Sequence, residues 1–131
     1  MRKMQANKKP PLVVVVDDDT SMRETTQDLL ESAGMRAATF ASAEAFLQST
    51  GVEHVACLVT DIRMPGISGL ELHERLATAG RPIPTVLMTA YPEESVRARA
   101  LKSGVVGFLP KPFTAEELLA CIGTALGRHR I

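Results

Sequence analysis

Four short apolar runs, rich in β-branched residues, constrain the fold of this chain more than any other feature. They are LVVVV at 12–16, HVACLV at 54–59, PTVLM at 84–88 and VVGFL at 105–109. Because polar residues rarely alternate within them, they are typical of strands buried on both faces of a parallel sheet. A fifth run, MRAATF at 35–40, alternates in part and predicts an edge strand. Such a sheet needs helices on both faces.

Helical patterns fill the segments between these runs. Capping-box signals predict the starts of three helices, at Ser21 with Glu24, Ser68 with Glu71 and Thr114 with Glu117. Two further helices are predicted to begin near Ser42 and at Pro92. Strand and helix therefore alternate five times along one chain, which predicts an α/β fold with a doubly wound sheet of five parallel strands and five helices.

The composition is that of one globular domain without a net charge. The chain has 131 residues, 45% of them hydrophobic, with 15 basic and 15 acidic side chains. Since it also has no helix-turn-helix pattern, we expect no direct contact with nucleic acid. No apolar run reaches the roughly 20 residues that span a bilayer, and the start lacks a signal peptide, so we expect a cytoplasmic protein without membrane contact. We predict a flexible basic tail at 1–11, the domain at 12–127 and a C-terminal end at 128–131.

The cysteines and histidines give no pattern of a metal site. Cys57 and Cys121 lie within apolar patterns, which predicts packed thiols. His54, His73 and His129 are widely separated and share no ligand spacing. We therefore expect the three histidines to be solvated side chains.

Acidic, hydroxyl and amine side chains stand at the carboxyl ends of the predicted strands. Asp17 and Asp18 follow the first strand, Asp61 the third, Thr89 the fourth and Lys111 the fifth. Ligands of open α/β sheets bind in a crevice at this edge. Clustered carboxylates repel one another unless a cation joins them, and Mg²⁺ prefers oxygen ligands, often including a phosphoryl oxygen. The set therefore suits phosphoryl transfer to a carboxylate, with Asp61 as the nucleophile.

Four motifs in this order and spacing, VVDDD, TDIRMPGISG, MTA and KPF, resemble the receiver (CheY-like) domain of two-component response regulators. The resemblance extends from Leu12 to Leu126, and FASAEAFL and GFLPKPF are similar to receivers of the FixJ type. It implies a flavodoxin-like sheet with strand order 2-1-3-4-5. It also implies a cis peptide bond between Lys111 and Pro112.

The same resemblance implies a role for each residue at the strand ends. Asp61 resembles the phosphoacceptor, and Lys111 and Thr89 resemble the residues that bind the phosphoryl group. The implied ligands of Mg²⁺, for which Mn²⁺ can substitute, are Asp17, Asp18, Asp61 and the backbone carbonyl of Arg63.

Three further positions are implied to control switching and rate. Phe108 resembles the aromatic residue that switches together with Thr89. Arg63 and Tyr91 stand two residues beyond Asp61 and Thr89, where the family varies and side chains can block or orient the hydrolytic water. We expect these two large side chains to tune the lifetime of the phosphoryl group.

The function implied is a phosphorylation-controlled signalling module. A sensor histidine kinase or a histidine phosphotransfer protein would donate to Asp61. The domain would catalyse its own phosphorylation and dephosphorylation without being an enzyme in the usual sense. Its fourth helix, fifth strand and fifth helix would then bind a protein effector or a second copy.

The alternatives are a phosphate sink or relay intermediate, a Mg²⁺-dependent phosphohydrolase with an aspartyl nucleophile, and an unphosphorylated interaction domain. The intact acids disfavour the last of these, and Arg63 occupies the position where a phosphohydrolase would carry an acid.

Overall fold

The computed structural model describes residues 9–50 and 54–129. Its strands form one five-stranded parallel sheet. The strands are β1 (Leu12–Val16), β2 (Arg36–Phe40), β3 (Val55–Asp61), β4 (Thr85–Thr89) and β5 (Gly107–Pro110). The helices are α1 (Thr20–Ser32), α2 (Ala43–Gln48), α3 (Gly69–Thr78), α4 (Glu94–Lys102) and α5 (Ala115–His129). The strand order is β2-β1-β3-β4-β5, so the predicted flavodoxin-like fold is confirmed. Most of the predicted basic tail, residues 1–8, lies outside the described residues.

Alternate side chains of the strands supply two separate apolar layers. On one face of β1, Val13 and Val15 pack in a cluster with residues of α1 and α5. On the other face, Val14 and Val16 pack in a cluster with residues of α2 and α3. All four valines are fully buried, which explains why this strand shows no polar alternation.

The helix starts confirm one capping box and correct another. Thr114 and Glu117 form the predicted reciprocal pair, with N–H to side-chain oxygen distances of 2.8 and 3.0 Å. The box predicted at Ser21 is wrong, because Ser21 lies inside α1 and Asp19 is the cap, accepting the Met22 N–H at 3.2 Å. Both residues can cap a helix, and the start is set by where the chain leaves β1.

The start of α4 also differs from the prediction, by two residues. The predicted start, Pro92, precedes the helix, which begins at Glu94. Glu93 occupies the cap position without a side-chain hydrogen bond. The helix start therefore depends on the local backbone path beyond β4, which the sequence signal at Pro92 did not resolve.

The prediction that the histidines are solvated is wrong for His73. This residue of α3 is only 6% exposed, and its Nδ1 lies 2.8 Å from the Thr85 hydroxyl. Its Nε2 lies 2.9 Å from the Ser103 carbonyl and donates to it, since a carbonyl only accepts. His73 therefore ties α3 to β4 and to the end of α4, whereas His54 is exposed.

Both cysteines are free thiols, as predicted. Cys57 is buried and Cys121 is half-buried. Burial raises the pKa of the Cys57 thiol to about 12, so it stays protonated and unreactive near neutral pH.

Within the described residues, no helix combines the length and apolar character needed to cross a membrane.

A close backbone contact places α3 beside the end of β3. The Gly69 N–H donates to the Ile62 carbonyl at 3.0 Å. A Cβ atom at position 69 would collide with the backbone carbonyl oxygen of Asp61. Glycine therefore allows the helix to begin directly against the last residue of the strand.

We predict that Gly69→Ala lowers the free energy of unfolding by about 1–3 kcal/mol, because the backbone must shift to admit a methyl group. The matched control is Gly123→Ala in α5, where a Cβ meets nothing within 4 Å. This control should raise stability by up to about 1 kcal/mol through helix propensity. Denaturant unfolding of both variants tests the contact, and equal stabilisation by the two would contradict it.

Candidate functional site

Three carboxylates meet at the carboxyl edge of the sheet. Val16 of β1 pairs with Thr60 of β3, so the residues that follow them, Asp17 and Asp61, are neighbours. With Asp18, they bring one carboxylate oxygen each within 4.8 Å of one another. Asp17 is fully buried and Asp61 is 9% exposed, whereas Asp18 is open to solvent. The strand ends thus bring together the three acids predicted from the sequence.

Lys111 supplies positive charge to this cluster. Its Nζ lies 3.4 Å from Oδ2 of Asp17 and 3.6 Å from Oδ2 of Asp61. Its backbone N–H donates to the Thr89 carbonyl at 2.7 Å, and its bond to Pro112 is cis. Lys111 is therefore held beside the acids by its backbone as well as by its charge.

Burial and the charge of Lys111 act in opposite directions on the pKa of the Asp61 carboxyl, and burial is the stronger. Loss of water raises the pKa of the Asp61 carboxyl. The Lys111 ammonium lowers this pKa, while the charges of Asp17 and Asp18 add to the increase. With all three acids ionised, three negative charges face one positive charge. The site therefore favours the binding of a further cation.

The donor set suits a hard divalent cation. Carboxylate and carbonyl oxygens are the atoms that Mg²⁺ prefers, and the cluster offers three carboxylates from two adjacent strand ends. Arg63, whose carbonyl is the fourth predicted ligand, lies two residues beyond Asp61 in the loop between β3 and α3. The residues present therefore fit a magnesium site.

Thr89 and Phe108 lie on one face of neighbouring strands. Leu87 pairs with Phe108, and Thr89 is on the same face as Leu87 because alternate residues of a strand share a face. Thr89 is 1% exposed, and its hydroxyl accepts the Tyr91 N–H at 3.0 Å. Phe108 is half-buried against the cluster that includes Ala100 of α4. Thr89 and the Phe108 ring thus share one face of the sheet, and the ring packs against a cluster to which α4 contributes Ala100.

Arg63 and Tyr91 contact each other, which the sequence did not reveal. The Arg63 guanidinium carbon lies 4.9 Å from the centre of the Tyr91 ring, a cation–π geometry. Arg63 also pairs with Glu93 at 3.6 Å. The two positions predicted to tune the rate therefore form one bridge between the loop after β3 and the loop after β4.

Glu44 contacts the loop that carries Arg63, and the sequence does not predict this contact. Its carboxylate accepts the N–H of Ile67, in the loop after β3, at 3.0 Å. The signal that could have found it is the acid of FASAEAFL, but a pairing across 23 positions leaves no periodic pattern.

Comparison with known proteins identifies the family. The protein family described as "Response regulator receiver domain" matches this chain over residues 13–123. Over 110 residues the chain is 41% identical to nodulation protein W of Bradyrhizobium diazoefficiens. This alignment covers 84% of this chain and 48% of that protein. It is 39% identical over 106 residues to the transcriptional regulatory protein FixJ of the same organism, covering 81% of this chain and 52% of FixJ. The chain thus spans about half the length of these relatives.

Solved structures agree with this assignment. The response regulator StyR is 45% identical with a TM-score of 0.85, covering 92% of this chain and 61% of the StyR chain. The structure of FixJ-N is 32% identical with a TM-score of 0.82, covering 92% of this chain and 96% of its own. The shared sequence, the strand order and the acids at the edge of the sheet all support the same assignment. The chain belongs to the receiver domain family of two-component response regulators.

Proposed function

We propose that Asp61 accepts a phosphoryl group from the phosphohistidine of a sensor histidine kinase or of a histidine phosphotransfer protein. The observation that supports this most is the cluster of Asp17, Asp18 and Asp61, with Lys111 beside Asp17 and Asp61. We assign residues 12–127 to the domain that performs this step. A cytoplasmic location fits such a donor.

The transfer exchanges one bond to phosphorus for another. A carboxylate oxygen of Asp61 attacks the phosphorus atom, and the P–N bond of the donor breaks with its electron pair returning to the imidazole. When bound by the three acids and the Arg63 carbonyl, Mg²⁺, or Mn²⁺ in its place, supplies charge compensation and a ligand position for a phosphoryl oxygen. Lys111 Nζ, which lies 3.6 Å from Asp61, binds a second oxygen, and the Thr89 hydroxyl binds a third.

These residues also allow the domain to catalyse its own modification without turning over an external substrate. The site positions the acceptor and offsets charge, so a small phosphodonor can replace the kinase. Water then hydrolyses the acyl phosphate, breaking its P–O bond and regenerating the Asp61 carboxylate. Arg63 and Tyr91 control how water reaches it, because their bridge spans two loops next to the acceptor.

The output is a change of surface. A phosphoryl group adds charge and acceptor oxygens, so it favours a state in which the Thr89 hydroxyl turns toward Asp61 and leaves the Tyr91 N–H. The Phe108 ring then moves into the space left on the same face. Because this ring packs against a cluster that includes Ala100 of α4, the face of α4, β5 and α5 changes and binds a protein effector or a second copy. Equal numbers of acidic and basic residues give no support for direct DNA contact.

We predict that acetyl phosphate with Mg²⁺ labels the chain once, at Asp61, and that Asp61→Asn abolishes labelling. Asp18→Ala should slow labelling by at least about tenfold, an effect typical of damage to a metal site. Excess chelator should reduce labelling to background. Mass spectrometry after chemical trapping of the acyl phosphate provides the measurement.

The matched control is Asp28→Asn, which changes an exposed acid of α1 and should label as the wild type does. Labelling on a histidine, or full labelling in excess chelator, would contradict the proposed acceptor and its metal.

We predict that Tyr91→Ala and Arg63→Ala each shorten the lifetime of the phosphorylated state by about two- to fivefold. This factor corresponds to the roughly 0.5–1 kcal/mol of an exposed cation–π contact. Because both variants break the same bridge, the double variant should be little faster than either one. Loss of label with time provides the rates. Arg97→Ala, on α4, should leave the lifetime unchanged, and unchanged lifetimes in all variants would exclude the bridge as a barrier to water.

A further inference from the structure

Glu44 connects α2 to the loop that carries the proposed metal ligand Arg63. Its carboxylate accepts the Ile67 N–H at 3.0 Å. The same carboxylate lies against Gly66 and leaves no room for a side chain there, since a Cβ atom would collide with the Glu44 oxygen; the φ of +83° at this position also favours glycine. The acid is therefore packed against two consecutive residues of the loop.

Other hydrogen bonds hold the two ends of this loop. At its start, the Ile62 N–H donates to the Met88 carbonyl of β4 at 2.9 Å. At its end, the Gly69 N–H donates to Ile62, and the Ser68 hydroxyl accepts the Glu71 N–H at 3.1 Å. Glu44 holds the middle, from a different helix. Arg63 lies between the start and the middle, so both ties restrain its carbonyl.

The charge state of Glu44 suits this contact. The hydrogen bond from Ile67 is the main reason that the pKa of the Glu44 carboxyl lies below its usual range, and the charge of Arg75 acts in the same direction. The side chain is therefore an ionised acceptor at neutral pH, and it accepts a charge-assisted hydrogen bond.

We propose that Glu44 is a positioning residue for the magnesium site: by accepting the Ile67 N–H, it holds the loop after β3 in the shape that presents the Arg63 carbonyl. The inference rests on the proposed function, which makes that carbonyl a ligand. A loop already held in its bound shape need not be ordered when the metal arrives, so the metal binds more tightly. Glu44 touches neither the metal nor the phosphoryl group and acts through the backbone.

The test is a Mg²⁺ titration of the unphosphorylated full chain, monitored by amide NMR spectra. Glu44→Ala removes the acceptor, and Glu44→Asp keeps the charge but is one methylene too short. Both should raise the Mg²⁺ dissociation constant by about tenfold, as loss of an outer-shell partner of a metal site does. Glu44→Gln keeps the reach, and its amide oxygen can still accept the Ile67 N–H, so its constant should stay within about a factor of two.

Glu94→Ala is the matched control, because Glu94, like Glu44, is an acid in the first turn of a helix, but it is exposed whereas Glu44 is half-buried. It should bind Mg²⁺ as the wild type does. The Ile67 amide signal should shift in the Ala and Asp variants and change less in the Gln variant. Since the Asp and Gln variants alone separate charge from reach, the test holds even if the Ala variant does not fold.

Two outcomes separate this inference from the proposed function. Wild-type protein without a saturable Mg²⁺ response near Asp17, Asp18 and Asp61 would overturn the proposed metal site, and the inference with it. A wild-type response combined with unchanged affinity in the Asp variant, or with equal losses in the Asp and Gln variants, would overturn the role of Glu44 alone.

Discussion

Negative charge concentrated at the end of a buried sheet is the constraint on which this site depends. Asp17 and Asp61 are nearly or fully buried, and with Asp18 they place carboxylate oxygens within 4.8 Å of one another. Lys111 offsets part of this charge, yet burial still raises the pKa of the Asp61 carboxyl. A phosphoryl group would bring more negative charge. In the proposed function, a divalent cation, the lysine and a hydroxyl donor together offset this charge.

The sheet and the loops contribute to this arrangement in different ways. Adjacent parallel strands fix the acids, because the pairing of Val16 with Thr60 sets Asp17 beside Asp61. The loops have no such register; backbone hydrogen bonds hold the two ends of the loop after β3, and individual side chains hold the rest. Glu44 reaches the middle of the loop after β3, and Arg63 bridges it to the loop after β4. Rate and metal affinity are therefore expected to vary with loop residues, while the position of the proposed acceptor follows from the fold.

The sequence predicted what depends on local pattern or strand position, and it missed what depends on distant pairing. Apolar runs without polar alternation predicted the sheet, and the polar residues at their ends included Asp61 and Lys111, which the structure brings together. The sequence predicts a solvated His73 because one isolated histidine in a helix carries no sign of its partners, the nearer of which lies 12 positions away. The contact of Glu44 with the loop was missed for the same reason. Asp19 and Ser21 compete for one helix start, and only the path of the chain decides between them.

The central claim is that chemistry at Asp61 changes a surface elsewhere on the domain. Amide spectra with Mg²⁺, recorded with and without beryllofluoride as a mimic of the phosphoryl group, test it most directly. We expect changes at Thr89 and Phe108 and along the face formed by α4, β5 and α5. Changes confined to the immediate surroundings of the three acids, with Thr89, Phe108 and that face unaltered, would contradict the switch and leave Asp61 as a simple phosphate sink.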